Sequence, residues 1–330
     1  MNFISNPELP FIIENYQGNP ISSSGRFFHP TYPFKLGWAD VAKWKTKPNP
    51  YAEAKKKETW RAAVIKDDGF LKHNKNVFVW LGHASFFFRL NGKNILVDPV
   101  FGQLSFLMPR YSELPIDPNK FNNIDYILLT HDHRDHCDLP SLKILSKNNP
   151  QVKIICGLNM SPIISSLFNK ENITEMGWHQ QFTDEENDLK ITYLPTRHWC
   201  RRFLTDTNRR LWGAFVFETE NKTIYFGGDS GYGNHFKSTA ELFPTIDFAF
   251  LGIGAFAPVW FMESNHMSPS AAFNAFKDLK ARRFVPMHFG TFDLSDEPLG
   301  EPLRLLKGIH EEHGLNGEVL FSEIGRAVHV

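Results

Sequence analysis

IDYILLTHDHRDH, residues 124–136, decides the reading of this chain. Its first seven residues form a mostly apolar run with Ile, Tyr and Thr, the composition of a buried strand. Its last six, His131-Asp132-His133-Arg134-Asp135-His136, place three imidazoles and two carboxylates directly after that strand. The pattern is H-x-H-x-D-H. In an extended segment, side chains two apart point the same way, so His131 and His133 can grip one cation. Asp135 and His136 follow once the chain turns and can reach a second cation beside it. Imidazole with carboxylate suits Zn²⁺, with Fe or Mn as alternatives.

One such motif supplies about two ligands per ion, and each ion needs about four or five. The others should come from other strand ends, where three candidates stand. They are His198 after LKITYLPTR (189–197), Asp229 closing TIYFGGD (223–229) and His288 closing RFVPMH (283–288). Taken singly, each histidine reads as a satisfied core residue and Asp229 as a turn residue. Their shared place at strand ends, beside the H-x-H-x-D-H run, favours ligation. The expected assignment puts His131, His133 and His198 on one ion and Asp135, His136 and His288 on the other, with Asp229 bridging. Asp98, in LVDP, is expected either to orient a ligand imidazole or to shape a turn.

Outward from this motif the chain alternates strands and helices. VFVWL (77–81), ASFFFRL (84–90) and KNILVDP (93–99) precede it, and Asn91-Gly92 marks a type I′ hairpin turn. KIIC (153–156), LKITYLP (189–195), GAFVFET (213–219), TIYFGGD (223–229), IDFAFLGI (246–253) and RFVPMH (283–288) follow. Helices are expected at about 139–147, 160–169, 236–243, 268–280 and 300–313, the fourth opened by Ser268 as N-cap and Pro269 at the first helical position. Many strands with interspersed helices mean a layered α/β or α+β fold. Residues 1–35 read as an irregular arm, and residues 38–66 as a helix with a basic face broken by Pro48 and Pro50. The expected division is an arm and helix over 1–70, packed on a catalytic domain over 71–330.

Composition narrows the function classes. The chain has 330 residues, 42% of them hydrophobic, which excludes a disordered or collagen-like chain. Lys+Arg and Asp+Glu are 36 each, so the basic surplus of a nucleic-acid binder is missing, and no nucleic-acid partner is expected. Three cysteines, Cys137, Cys156 and Cys200, form no C-x-x-C pair and fit a reducing compartment. The first 20 residues lack the pattern of a signal peptide, and no apolar run reaches the ~18 residues of a membrane span. A cytoplasmic location is expected, with peripheral membrane contact left open. Cys137 and Cys200 are read as packing residues.

THDHRDH with distant His, Asp and His ligands resembles the metallo-β-lactamase superfamily. WLGHASFFF, ILVDPVFG, HWCRRFLTDTNRRLWGAF, FGGDSGYG, IGAFAPVWFMESNHMSP and HFGTF are together similar to the N-acylphosphatidylethanolamine-hydrolysing phospholipases D and their bacterial relatives. The likeness runs from about Gly25 to about Phe292. It implies a four-layer αβ/βα sandwich, a dinuclear zinc site on one edge, the ligand set given above and a homodimer. It also implies that His266 lies near the substrate phosphate.

The activity expected is that of a zinc-dependent phosphodiesterase of phospholipase D type. Metal-activated hydroxide would cleave a phospholipid such as N-acylphosphatidylethanolamine to N-acylethanolamine and phosphatidic acid. Asp135, Asp229 and His266 are the expected catalytic residues, with His266 binding the phosphate or giving a proton to the leaving group. The competing readings are a hydrolase of a lactone, thioester or β-lactam carbonyl, and a non-catalytic metal-binding scaffold. Arg197, Arg201, Arg202, Arg209 and Arg210 are expected to form a solvated face, one of them a candidate for an anionic head group. Phe101, Phe106, Leu107 and Met108, with Trp44 among lysines, are read either as a lipid-touching surface or as core packing.

Overall fold

Three consecutive phenylalanines, Phe86, Phe87 and Phe88, show how the layers arise in the computed structural model, which describes residues 2–313 and 318–330. Successive side chains of a strand point to opposite faces. Phe86 and Phe88 point inward and meet Phe250 at ring distances of 5.0 and 5.2 Å. Phe87 points outward, to Phe70 at 5.1 Å and Phe121 at 6.4 Å. Inward and outward residues thus build two cores, one between the sheets and one beneath an outer helix layer.

The elements run in the following order. β1 (Asn2–Ile4) and β2 (Asn19–Ile21) form a small antiparallel pair, followed by α1 (Trp38–Thr46) and α2 (Ala52–Lys56). Next come β3 (Val77–Gly82), β4 (Ser85–Leu90), β5 (Lys93–Val97), β6 (Tyr126–Leu129), α3 (Leu139–Asn148), β7 (Lys153–Gly157), α4 (Ser161–Ile164) and β8 (Ile173–Met176). The later part holds β9 (Gln181–Asp184), β10 (Leu189–Leu194), β11 (Ala214–Thr219), β12 (Lys222–Phe226), α5 (His235–Leu242), β13 (Phe248–Gly252), α6 (Val259–Met262), α7 (Pro269–Asp278), β14 (Arg283–Met287), α8 (Glu301–His313) and β15 (Ala327–His329).

One sheet has the order β15-β3-β4-β5-β6-β7-β8, the other β14-β13-β12-β11-β10-β9. Leu142 and Leu145 of α3 cover the outer face of the first, against Val79, Phe87 and Leu129. Phe236 of α5 and Phe276 of α7 cover the second, 6.2 Å from Tyr225 and 5.6 Å from Phe284. The fold is the expected four-layer αβ/βα sandwich.

Strand direction explains why the functional residues converge. β3, β4 and β5 form an antiparallel ladder, so β3 and β5 run the same way, and β6 pairs parallel to β5. β10 and β12 are likewise co-directional across β11, and β13 and β14 pair parallel to β12. The C-terminal ends of β3, β5 and β6 therefore share one edge of their sheet, and those of β10, β12 and β14 one edge of the other.

Several local expectations hold. Asn91 and Gly92 take φ of 47° and 80° in the β4–β5 turn, as a type I′ hairpin requires. Ser268 caps α7 through Ala271 N–H at 3.2 Å. Others need correction. The helix expected over 160–169 is a single turn, α4, followed by Ser165-Ser166, whose hydroxyls compete for backbone partners. β8, β9 and β15 were not anticipated, and all three are edge strands. An edge strand is covered less completely, so its apolar alternation is weak. The 1–35 segment is less irregular than expected, because β1 and β2 pair within it.

Candidate metal centre

β6 ends at Leu129, and the chain bends at Thr130 and Asp132 before the turn over 134–136. His136 and Cys137 N–H groups donate back to the His133 carbonyl at 3.1 and 2.8 Å. That turn separates the two halves of the motif. His131 Nε2 and His133 Nδ1 are 2.8 Å apart, and His198 Nε2 lies 3.2 Å from His133 Nδ1. Asp229 Oδ2 is 3.9 Å from His131 Nε2 and 3.7 Å from His198 Nε2. On the other side, His136 Nε2 and His288 Nε2 lie 3.8 and 3.6 Å from Asp135 Oδ2. Asp229 reaches this half as well, Oδ2 at 3.2 Å from His136 Nε2 and Oδ1 at 3.1 Å from His288 Nε2. All seven expected ligands are brought together, in two groups that share Asp229.

The donors fit cations. Tetrahedral ligands about 2.0–2.1 Å from an ion lie about 3.4 Å from one another, close to these separations. Donor atoms of His131, His133, His198 and Asp229 lie within 4.8 Å of one another, as do those of Asp135, His136 and His288. His136 Nε2, both Asp229 oxygens and His288 Nε2 are buried without a hydrogen-bond partner. Such atoms are costly to leave unpaired, and a shared cation satisfies them together. Imidazole nitrogen and carboxylate oxygen are the donors that Zn²⁺, Fe and Mn accept.

Neighbouring groups orient the donor side chains. His136 Nδ1 donates to Asp98 Oδ2 at 2.7 Å, and Asp98 also accepts from Thr130 N–H and hydroxyl at 2.8 and 2.6 Å. Of the two readings of Asp98, the structure supports the one that orients an imidazole. His198 Nδ1 donates to the Asn265 carbonyl at 3.0 Å. Burial opposes charge on His136, but the carboxylates of Asp229, Asp98 and Asp135 outweigh it and lift its pKa well above the usual range. Burial raises the Asp229 carboxyl, but His136, His288 and His266 overcome it and hold it well below its ordinary value. Burial holds His131 and His198 well below the usual range, so positive charge gathers on the His136 and His288 side of Asp229.

His266 sits at its mouth, with Nδ1 3.7 Å from Asp229 Oδ2 and a side chain 18% exposed, where His131, His136, His198 and His288 are all at 1% or less. Burial holds its pKa down at about 4.

Two groups escaped the sequence reading. His83, at the end of β3, joins Asp135, His136 and His288 in the second donor group. The signal was available as one more strand-end histidine, in WLGHASFFF. The second is a buried brace. Asp132, between His131 and His133, pairs with Arg210, which also pairs with Asp206. Arg202 donates to the Asp132 and Cys137 carbonyls at 3.2 and 2.6 Å.

The solvated arginine face is thereby corrected. Arg210 is buried, Arg197 donates to the Tyr232 carbonyl at 2.8 Å, and Arg201 lies over Trp199 and Trp38. Only Arg209 of the five is exposed. Cys137 and Cys200 are buried, as packing residues should be. Of the apolar set, Phe101 is buried and stacks on Phe121 at 5.4 Å. Trp44 is half-buried, donating to Asp296 at 3.0 Å and packing on Phe261. Phe106 and Leu107 are 90% and 85% exposed, and Met108 is exposed too.

Residues 93–289 match the family described as the β-lactamase superfamily domain. The chain belongs to the metallo-β-lactamase superfamily. It is 31% identical over 242 residues to the N-acyl-phosphatidylethanolamine-hydrolyzing phospholipase D 1 of Caenorhabditis elegans, covering 70% of this chain and 68% of that one. It is also 31% identical over 256 residues to the mitochondrial N-acyl-phosphatidylethanolamine-hydrolyzing phospholipase D of Saccharomyces cerevisiae, covering 75% of this chain and 54% of that one. The chain thus matches between about half and about two thirds of the length of these curated relatives. Among solved structures, Igni18, a metallo hydrolase of the archaeon Ignicoccus hospitalis, shares the fold, with a TM-score of 0.59 and 21% identity over 77% of this chain and 98% of that one. This member of the superfamily is a metal-dependent hydrolase. No helix among the described residues is long and apolar enough to cross a membrane.

Proposed function

We propose that this metallo-β-lactamase-fold hydrolase is a dinuclear zinc phosphodiesterase of phospholipase D type, acting on an N-acylphosphatidylethanolamine-like phospholipid. The observation that carries the reading is the seven-donor cage shared through Asp229, with His266 at its only partly exposed rim. The 31% identity to two phospholipases D of that specificity supports the substrate class.

When bound, the two ions supply Lewis acidity and a water made acidic enough to act as nucleophile near neutral pH. His131, His133 and His198 would hold one ion, Asp135, His136 and His288 the other, and Asp229 both. The reaction adds water across one P–O bond. The water oxygen ends on phosphorus, the alkoxide of the N-acylethanolamine departs, and the water's proton ends on that oxygen. His266 offers an N–H to a phosphoryl oxygen from the open side, where charge grows as the bond breaks. Asp98 and the Asn265 carbonyl keep the His136 and His198 rings in their ligating tautomers.

A lipid surface is the proposed partner. Phe106 and Leu107, Phe203 and Leu204, and Val259 and Trp260 are exposed pairs on the segments that follow β5, β10 and β13. Those strands end at the edges that carry the cage. Lys43 of α1 and Lys47 just after it lie 4.9 and 5.2 Å from the Trp260 ring, so cations stand beside apolar side chains, as on an anionic bilayer surface.

Elemental analysis of purified protein and digestion of a total phospholipid extract test the reading together. Two zinc ions per chain and release of N-acylethanolamine with phosphatidic acid are expected. Asp229→Asn should lower turnover by at least about 10²–10³-fold. His266→Ala should lower it by about 10²–10⁴-fold with both ions retained. Turnover of lactones or nitrocefin without phospholipid cleavage would replace this reading with a carbonyl hydrolase. Full activity of either variant would refute the residue roles.

A further inference from the structure

We propose that His83 is the positioning residue for one of the two ions, fixing two of its ligands from a single turn of chain. The inference rests on the two-ion reading, not on the substrate.

The side chain holds the first ligand. His83 Nε2 is 3.1 Å from Asp135 Oδ2, the same oxygen that faces His136 and His288. The backbone holds the second. The His83 carbonyl accepts from His288 N–H at 3.1 Å, and the two rings lie 3.9 Å apart. The turn is itself pinned. The same carbonyl accepts Trp80 Nε1–H at 2.8 Å, and His83 N–H donates to the buried Thr291 hydroxyl at 2.8 Å. His83 sits at φ 52°, a left-handed conformation that a non-glycine residue adopts at a cost. The residue is 1% exposed, so neither the strain nor the imidazole serves the surface.

The short contact between His83 Nε2 and the Asp135 carboxylate favours positioning over ligation. A histidine that ligates through Nε2 carries its proton on Nδ1, and His136 and His198 each give that proton to an acceptor. His83 Nδ1 is buried with no partner, a trait it shares with His288, so the Nε2 contact with Asp135 decides where the proton sits. A proton on Nδ1 would leave an unsatisfied buried donor. With the proton on Nε2, donated to Asp135, only a bare lone pair is left at Nδ1. His83 therefore acts on the carboxylate and, through it, on the ion.

The test uses full-length protein loaded with zinc and compares wild type, His83→Gly and His83→Asn. Glycine keeps the positive φ and both backbone bonds but removes the imidazole. Asparagine tolerates the same φ and retains a donor. Zinc per chain is followed against rising chelator, and thermal unfolding is recorded on the chelated proteins. In His83→Gly one of the two ions should leave at about 10–100-fold weaker affinity while the other is unchanged. His83→Asn should recover part of the loss, and the chelated proteins should unfold alike. Wild-type retention of both ions in His83→Gly would overturn the proposal. Equal weakening of both ions, with a lowered midpoint in the chelated variant, would overturn it too, because the role would then be merely structural. If wild type bound fewer than two ions, the two-ion reading itself would fail, an outcome visible before any variant is compared.

Discussion

Replacing Arg210 by Met tests whether the loop carrying His198 is fastened to the H-x-H-x-D-H loop by charge. Asp132 has a fully buried side chain, Arg210 at 10% side-chain exposure pairs with its Oδ2, and its Oδ1 has no hydrogen-bond partner. Methionine keeps the length and the apolar stem but leaves Asp132 charged and alone. Breaking a buried pair from one side typically costs ~3–5 kcal/mol, because the stranded carboxylate keeps its desolvation penalty. For a chain of this length the unfolding entropy puts that at about 6 °C of melting temperature. Exchanging Asp132 for Asn in the same protein removes the stranded charge, so the double variant should recover more than half of the loss. A double-mutant cycle by urea denaturation in excess zinc, repeated in chelator, measures this. Zinc content should fall in Arg210→Met, chiefly at the ion held by His131, His133 and His198. A single variant within about 1 kcal/mol of wild type, or a double variant no better than the single, would show that the pair does not fasten the loop.

Three further outcomes are expected. Asp98→Ala strands His136 Nδ1–H and Thr130 N–H, so zinc affinity at the His136 ion should fall about 10–100-fold, read by chelator competition. His235, buried with Nε2 3.0 Å from the Ser230 hydroxyl, has its pKa pushed by burial from 6.5 to about 3. The folded state thus prefers the neutral ring, and that contribution is present above pH 6.5 and lost as pH falls toward 3, by an order of 4–5 kcal/mol at most. His235→Gln should therefore show a shallower fall in melting temperature between pH 7 and pH 4; parallel falls would exclude the residue as the source. Phe106→Ser with Leu107→Ser removes two exposed apolar side chains, which should weaken sedimentation with anionic vesicles at least about tenfold while leaving hydrolysis of a short soluble diester unchanged. Unaltered vesicle binding would place the lipid contact elsewhere.

The sandwich and the clustering of the seven donor side chains were legible because each is written in residue type and short-range spacing. H-x-H-x-D-H is local, and His198, Asp229 and His288 follow strands whose apolar runs are unmistakable. What stayed hidden depends on partners far apart in sequence. Arg210 looks like any surface arginine until the fold brings it to Asp132, 78 positions away. Phe106 and Phe101 read alike, yet one is exposed and the other stacks on Phe121. His83 carried a readable sign, its place after a strand, but its importance lies in a backbone turn and a carboxylate 52 positions away. The edge strands failed for a different reason, since partial burial blurs the alternation on which strand reading depends.

Each proposed ion would be clasped by donors from both sheets. His131, His133, Asp135 and His136 follow β6, while His198, Asp229 and His288 follow β10, β12 and β14. The ions would therefore cross-link the two layers at an edge made of long connecting segments, where no strand pairing closes the sandwich. Protein bonds cross the same gap beside them. Tyr193 Oη donates to the Thr130 carbonyl at 2.7 Å, Arg210 pairs with Asp132, and the His83 carbonyl accepts from His288 N–H at 3.1 Å. Each of these joins the sheet carrying one ligand set to the sheet carrying the other. The gap is thus held at ligating distance by the chain itself, and metal enters a cage whose dimensions are already set. Less binding energy is then consumed in ordering the donors, and more remains to hold the ions where a phosphoryl group can reach them.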